Sequence, residues 1–220
     1  MKRMCKLAPS LLEADYRFLD NQLKKMQQAG ADCVHIDVMD GSFVPNLSFG
    51  MKMIHNIRQS TNLEFDVHMM VQEPFRFVKR MADAGADTIT VHYEACENVE
   101  GTLALIKDSG VKAGIALKPE TSLDIFTDGL LKTVDVVHLM TVEPGLERQV
   151  FIPESLQRIS EVRERLDEVH VDCDIEVDGN ITMENIKNVV AAGANIIVVG
   201  KALFSGNMMD NIQQMKLQME

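Results

Sequence analysis

The chain has no tryptophan and only two tyrosines in 220 residues, so aliphatic side chains and its 15 methionines must build most of the interior. Cysteine is sparse as well. Cys5, Cys33, Cys96 and Cys173 are scattered without a CxxC pair, which excludes a disulfide framework or a thiolate zinc knuckle and predicts a reduced, cytoplasmic setting. No window approaches eighteen consecutive apolar residues, so no membrane span is expected. The opening Met1-Lys2-Arg3-Met4-Cys5-Lys6 is basic, but no signal-type apolar region follows it. Asn46-Leu47-Ser48 and Asn180-Ile181-Thr182 are therefore chance matches to the glycosylation pattern. Positive charge is in deficit, with 22 Lys and Arg against 33 Asp and Glu and a net charge of −11, which argues against a nucleic-acid surface. No strand is followed by a GxGxxG or Walker-type loop, and no linker or low-complexity tract divides the chain. What remains is an ordinary globular composition, 46% hydrophobic and 25% charged, long enough for one large core.

A partial internal repeat organises it. Ala29-Gly30-Ala31-Asp32, Ala84-Gly85-Ala86-Asp87 and Ala192-Gly193-Ala194-Asn195 each close a helical pattern and precede a β-rich run. Each glycine fits the left-handed position that ends a helix, and Ser109-Gly110-Val111 plays a similar part. Short β-branched runs after such stops predict eight strands: Lys6–Pro9, Cys33–Met39, Leu63–Met69, Thr88–His92, Lys112–Leu117, Val134–Met140, Val171–Val177 and Ile196–Gly200. Amphipathic helical patterns lie between them, at Tyr16–Gln28, Phe75–Ala84, Val99–Asp108, Pro153–Leu166 and Met183–Ala192. Strands alternating with helices imply parallel pairing through right-handed crossovers. Eight such units predict an α/β fold, a single-domain (β/α)8 TIM barrel over residues 1–220, with a doubly wound sheet as the alternative.

One strand breaks the apolar rule. In His35-Ile36-Asp37-Val38-Met39-Asp40-Gly41, residues two apart share a face. His35, Asp37 and Met39 point one way, and Val34, Ile36 and Val38 the other. An imidazole and a carboxylate on a buried face cost free energy unless paired or bound to a metal. Barrel active sites gather at the C-terminal strand ends, and the other ends here are also polar: Ser10, His68, His92, His138, Glu176 and Asp178. Two imidazoles and two carboxylates, His35, Asp37, His68 and Asp178, suit Zn, Mn, Fe or Co better than Ca or Mg. His138 and His55 read as structural, and Glu176 as a supporting partner on the face of Asp178. Met39, Met70 and Met140 adjoin the polar ends and form either core filler or a soft pocket wall. Gly145, Gly179-Asn180 and Gly200-Lys201 follow the sixth, seventh and eighth strands, where backbone amides can approach a phosphate.

These residues resemble the ribulose-phosphate 3-epimerase family. The matches run in order along almost the whole chain: Ala8-Pro9-Ser10-Leu11-Leu12, His35 to Gly41 with Phe43-Val44-Pro45-Asn46, Asp66-Val67-His68-Met69-Met70 and Val91-His92-Tyr93-Glu94. Leu117-Lys118-Pro119-Glu120-Thr121, Met140-Thr141-Val142-Glu143-Pro144-Gly145, Gln149-Val150-Phe151-Ile152 and Glu176-Val177-Asp178-Gly179 continue them. The resemblance implies one divalent metal ion (Zn, Fe, Mn or Co) on His35, Asp37, His68 and Asp178. It implies Asp37 and Asp178 as paired acid and base, with Ser10, His68 and the glycine loops contacting a phosphorylated ketose. It also implies a homo-oligomer, dimer or hexamer. Inversion next to a ketone needs a proton removed from one face and returned to the other, which two carboxylates and a Lewis acid supply.

The phosphate side departs from the family pattern. Gly145-Leu146-Glu147-Arg148-Gln149 stands where the family usually reads Gly-Phe-Gly-Gly-Gln, Lys201 where a serine is usual, and Asn180 where a second glycine is common. Glu147 would repel a dianion, whereas Arg148 would offset that or bind the phosphate directly. The expected reaction is 3-epimerisation of D-ribulose 5-phosphate to D-xylulose 5-phosphate, with D-allulose 6-phosphate or another ketose phosphate as the alternative substrate. A related decarboxylase and a non-catalytic sugar-phosphate binder are the competing classes. The former resembles a lysine-bearing third strand, absent from Asp66-Val67-His68-Met69-Met70; the latter has no use for a second carboxylate.

Overall fold

Strands β1 (Lys6–Pro9), β2 (Cys33–Met39), β3 (Glu64–Met70), β4 (Thr88–His92), β5 (Lys112–Leu117), β6 (Val136–Met140), β7 (Asp174–Asp178) and β8 (Ile196–Val199) pair in parallel. This computed structural model describes residues 4–220; Met1, Lys2 and Arg3, the start of the basic N-terminal stretch, lie outside the described residues. The sheet runs in the order β1-β8-β7-β6-β5-β4-β3-β2. Its two ends meet through a single parallel bridge, Ser10 to His35, which brings the barrel nearly to closure. Helices α1 (Leu19–Ala29), α2 (Met51–Ile57), α3 (Val78–Asp83), α4 (Val99–Asp108), α5 (Asp128–Leu131), α6 (Ser155–Glu168), α7 (Ile186–Ala191), α8 (Lys201–Phe204) and α9 (Met208–Met219) cover the outside. No helix among the described residues is long and apolar enough to cross a membrane.

The helices form where apolar residues recur on one face. In α6 the buried positions are Ser155, Ile159, Val162 and Leu166, spaced by three or four residues. The Asn98 side chain caps α4 by accepting from Gly101 N at 2.9 Å. Helix α1 starts later than its sequence pattern, because Asp15 accepts from Arg17 N and turns Tyr16–Phe18 into a tight 3-10 turn. The repeat glycines Gly30, Gly85 and Gly193 all adopt positive φ, as their helix-ending position requires.

The fourth residue of that repeat has a second task. Asp32 accepts from Leu7 N at 2.8 Å, Asp87 from Phe65 N at 2.7 Å and Asn195 from Ile175 N at 2.8 Å. Each also donates its own backbone N–H to the carbonyl of the same strand residue. Asp135 does likewise for Ala113, at 2.8 Å, without the Ala-Gly-Ala signature. The base of every odd strand is thus stapled to the turn entering the next even strand. An unmet buried N–H would cost about 1–3 kcal/mol at each of these points. This also explains why β6 begins at Val136 rather than Val134. Strand β7 begins at Asp174 rather than Val171, because Val171 N still returns to Leu166 O at the end of α6.

Register sorts the barrel interior into levels. Val34, Ile36 and Val38 join the core between strands and helices, whereas His35, Asp37 and Met39 point inward. At the bottom Ala8, Cys33, Val136, Ile196 and Val198 form an apolar plug. Above it sit His35, Asp66, Thr90, His138 and Glu176, all buried. At the top are Ser10, Asp37, His68, His92, Met140 and Asp178. Barrel interiors are usually filled by branched aliphatic layers; here two levels are polar, and the upper one opens to a cavity.

Candidate active site

A cavity of about 780 Å³ opens at the C-terminal mouth of the barrel. Ser10, Asp37, Met39, Met70, Met140 and Asp178 border it, as do Gly145, Arg148, Gly179, Asn180, Gly200 and Lys201 from the loops. His35 and His68 are fully buried and lie beside Asp37 rather than on the cavity wall. The three methionines are also buried, at 6%, 1% and 3% exposure, so they are both core filler and pocket wall.

Four predicted ligands converge. His35, Asp37, His68 and Asp178 each place a ligand atom within 4.8 Å of the others. They come from β2, β3 and β7, and the parallel register sets Asp37 directly beside His68. Asp37 Oδ1 lies 3.2 Å from His35 Nε2 and 3.1 Å from His68 Nδ1, while its Oδ2 accepts from Ser10 Oγ at 2.8 Å. The β2 backbone is fixed from outside by Ser48, whose Oγ donates to Asp37 O and accepts from Met39 N at 2.9 Å.

The electrostatics of this set fit a cation. Burial works against the Asp37 charge, but His35 and His68 outweigh it and hold the carboxyl well below its usual range. Burial, then repulsion from Asp37, pushes Asp178 up to about 8. Burial also opposes a charge on His35, yet Asp37 and Asp66 hold its pKa well above that of a free imidazole. Without a cation, therefore, the cluster keeps a proton on Asp178 and a positive charge on His35. A divalent ion would replace both, and the mixed imidazole–carboxylate donor set matches the borderline metals.

His35 Nδ1 donates to Asp66 Oδ2 at 2.7 Å, which orients the ring with Nε2 toward Asp37. Glu176 lies in the same level, with Oε1 3.0 Å from His35 Nδ1 and Oε2 3.4 Å from His138 Nδ1, but neither oxygen accepts a hydrogen bond there. Burial and the neighbouring Glu176 raise Asp66 to about 6. His35, Asp66 and Glu176 also have metal-ligand spacing, with the His35 Nδ1–H given to Asp66. His138, read as structural, packs in this polar level with its ring 4.3 Å from that of His68. His55 stands exposed on α2, away from the site.

The loop after β6 is braced by its own residues. Gln149 accepts from Glu143 N at 3.1 Å and donates to Glu143 O, closing the base of the loop after β6. Gly145 has φ +76°, and an added Cβ would sit 2.4 Å from Val44 Cβ in the loop after β2. The contact between the two loops therefore demands this glycine by itself. Glu143 pairs with Lys118 at 3.3 Å, and Lys118 lies over the Phe43 ring. Glu13 and Glu147 border the same rim as Arg148 and Lys201, so it mixes both charges.

The Ribulose-phosphate 3 epimerase family profile matches residues 6–204. A ribulose-phosphate 3-epimerase of Bacillus subtilis is 45% identical over 202 residues, which span 91% of this chain and 93% of that protein. One from Escherichia coli K12 is 44% identical over 199 residues, 90% of this chain and 88% of that protein. Among solved structures, a mutant tryptophan synthase alpha-subunit from Pyrococcus furiosus superposes with TM-score 0.65 at 15% identity, covering 100% of this chain and 99% of that one. That likeness shows the barrel fold alone. The strand order, the paired carboxylates at the mouth and the close full-length relatives lead to one assignment: the chain belongs to the ribulose-phosphate 3-epimerase family, a family of isomerases.

Proposed function

We propose that the protein interconverts D-ribulose 5-phosphate and D-xylulose 5-phosphate, with Asp37 and Asp178 as the two proton-transfer groups. One observation carries the reading: two carboxylates from β2 and β7 meet within 4.8 Å at the cavity floor with their proton affinities driven apart. Environments that split two titratable groups assign one as base and the other as acid. Asp37, ionised and oriented by Ser10, removes the C3 proton from one face of the substrate. Asp178 delivers a proton from the other, and the roles exchange in the reverse direction. His35, Asp37, His68 and Asp178 would hold one divalent ion, Zn, Fe, Mn or Co. When bound, that ion supplies Lewis-acid stabilisation of the charge that develops on the substrate oxygens. Met39, Met70 and Met140 keep water away from the carbon being inverted.

Phosphate recognition falls to Gly179, Asn180, Gly200, Lys201 and Arg148 at the rim. Glu147 and Lys201 change the charge pattern there, which keeps D-allulose 6-phosphate as the alternative substrate. The test is incubation of the metal-loaded protein with each ketose phosphate in deuterated water. Cation-dependent deuterium entry at C3 of ribulose 5-phosphate, faster than for the longer sugar, is expected. Entry into neither sugar would overturn the proposal, and preference for the longer sugar would leave only the alternative substrate.

A further inference from the structure

His68 is held by a chain of side chains that runs away from the cavity. His68 Nε2 lies 2.9 Å from His92 Nε2, and His92 Nδ1 lies 3.1 Å from Glu94 Oε2. The other Glu94 oxygen accepts from Lys118 N at 2.9 Å and from the Thr121 hydroxyl. His92 is fully buried, and the Phe43 ring packs on it at 4.9 Å between centroids. Glu94 and Thr121 lie beyond the ends of β4 and β5, outside the shell described above.

With a cation taking the lone pair of His68 Nδ1, the donor and acceptor inventory fixes where each hydrogen sits. An ionised carboxylate only accepts, so His92 Nδ1 carries the hydrogen and donates to Glu94. A neutral imidazole has one ring hydrogen, which leaves His92 Nε2 as a bare acceptor. His68 must then donate through Nε2. With its hydrogen committed there, His68 Nδ1 presents a lone pair toward Asp37 Oδ1, 3.1 Å away, where the other ligand atoms gather. Reversing the chain would set the bare His92 Nδ1 against the Glu94 carboxylate; the direction given sets the bare His68 Nδ1 against Asp37 Oδ1 instead, and a cation between those two atoms would remove that opposition.

We infer that His92 and Glu94 are positioning residues for cation binding: Glu94 accepts from His92 Nδ1, so that His92 Nε2 can accept the His68 ring hydrogen and leave His68 Nδ1 to the cation. The inference rests on the proposed cation site. Outer partners of this kind typically contribute about 10- to 100-fold in metal affinity. Glu94 is anchored by three groups, His92 Nδ1, Lys118 N and the Thr121 hydroxyl.

The experiment titrates Co(II) into the metal-stripped full chain and into Glu94→Gln, His92→Gln and His92→Leu, following visible absorption, with Zn(II) competition for tight binding. His92→Gln keeps an acceptor for His68, whereas His92→Leu removes it. Expected are an increase in Kd of about 10- to 100-fold for Glu94→Gln and His92→Leu, and a smaller one for His92→Gln. Nitrogen-15 imidazole NMR of the Zn(II)-loaded protein should show hydrogen on His68 Nε2 and on His92 Nδ1, and loss of the single His92 tautomer in Glu94→Gln. An unchanged Kd and tautomer in Glu94→Gln, or equal losses in the two His92 variants, would overturn the inference. If His92→Leu does not fold, Glu94→Gln decides alone. Failure of the unaltered chain to bind either cation would instead refute the proposed metal site.

Discussion

Cation binding to this cluster should release protons, and the number follows from the residues that hold them. Asp178 is raised to about 8 by burial and by Asp37, so roughly nine-tenths of it is protonated at pH 7. His35 is held well above the free-imidazole value, so it too carries a proton there. A ligand set must be deprotonated to bind metal, and both protons must leave. At pH 7 the release is therefore close to two per ion. The sign is fixed. The binding-competent form of each group is the deprotonated one, so affinity grows as pH rises toward the Asp178 value and falls as pH drops below it. Each unit below costs about 1.4 kcal/mol per proton, a tenfold weakening for one and a hundredfold for two. The thermal stabilisation given by a fixed excess of Zn(II) should accordingly be larger at pH 8 than at pH 6. Isothermal titration at pH 7 in two buffers of different ionisation enthalpy counts the protons directly. Fewer than about half a proton released, or an affinity that is flat from pH 8 to pH 6, would refute the electrostatic account of the cluster.

Other consequences are equally checkable. Asp37→Asn and Asp178→Asn should each lower deuterium exchange at C3 by at least about 10²–10⁴-fold, since on the proposed mechanism a general base and a ligand are lost together; exchange retained within tenfold in either would remove that residue from proton transfer. Gly145→Ala should displace the loop after β6, because its Cβ would fall 2.4 Å from Val44 Cβ. A stability loss of about 1–3 kcal/mol with a raised KM is expected, and Val44→Ala should recover part of it; a double variant no better than the single would show that the two loops do not depend on this contact. At the base of the barrel, Asp135→Ala should cost about 1–3 kcal/mol by stranding Ala113 N. Asp135→Asn should cost little, since Asn195 performs the same task with a neutral amide. Urea denaturation measures both, and equal losses would show that charge rather than the hydrogen bond matters there.

The residues that were readable from the chain alone, and those that were not, differ in how far their partners lie from them. Alternation along β2 assigns His35 and Asp37 to one face without reference to any other strand, and the strand-end rule brings in His68 and Asp178. The repeat glycines are legible because positive φ is a local demand. The following Asp or Asn gives no such signal, since its side chain serves a strand twenty or more residues away. Val171 to Cys173 have the composition of a strand, but the first ladder contact of β7 is made at Asp174, whose N–H reaches Asp135 O. His92 was visible only as a polar strand end. Its direct neighbour in register is Ala116, and the β3 residue His68 is registered with Thr90, two positions earlier. The contact between the two imidazoles exists because strands in a barrel are tilted and staggered, so residues at one height are not at one register position. Glu94 lies past the strand altogether, where alternation no longer assigns a face. An outer group that governs a metal ligand through an intervening ring is thus hidden from any pattern along a single strand. It emerges only when donors and acceptors are followed from one strand to the next, hydrogen by hydrogen.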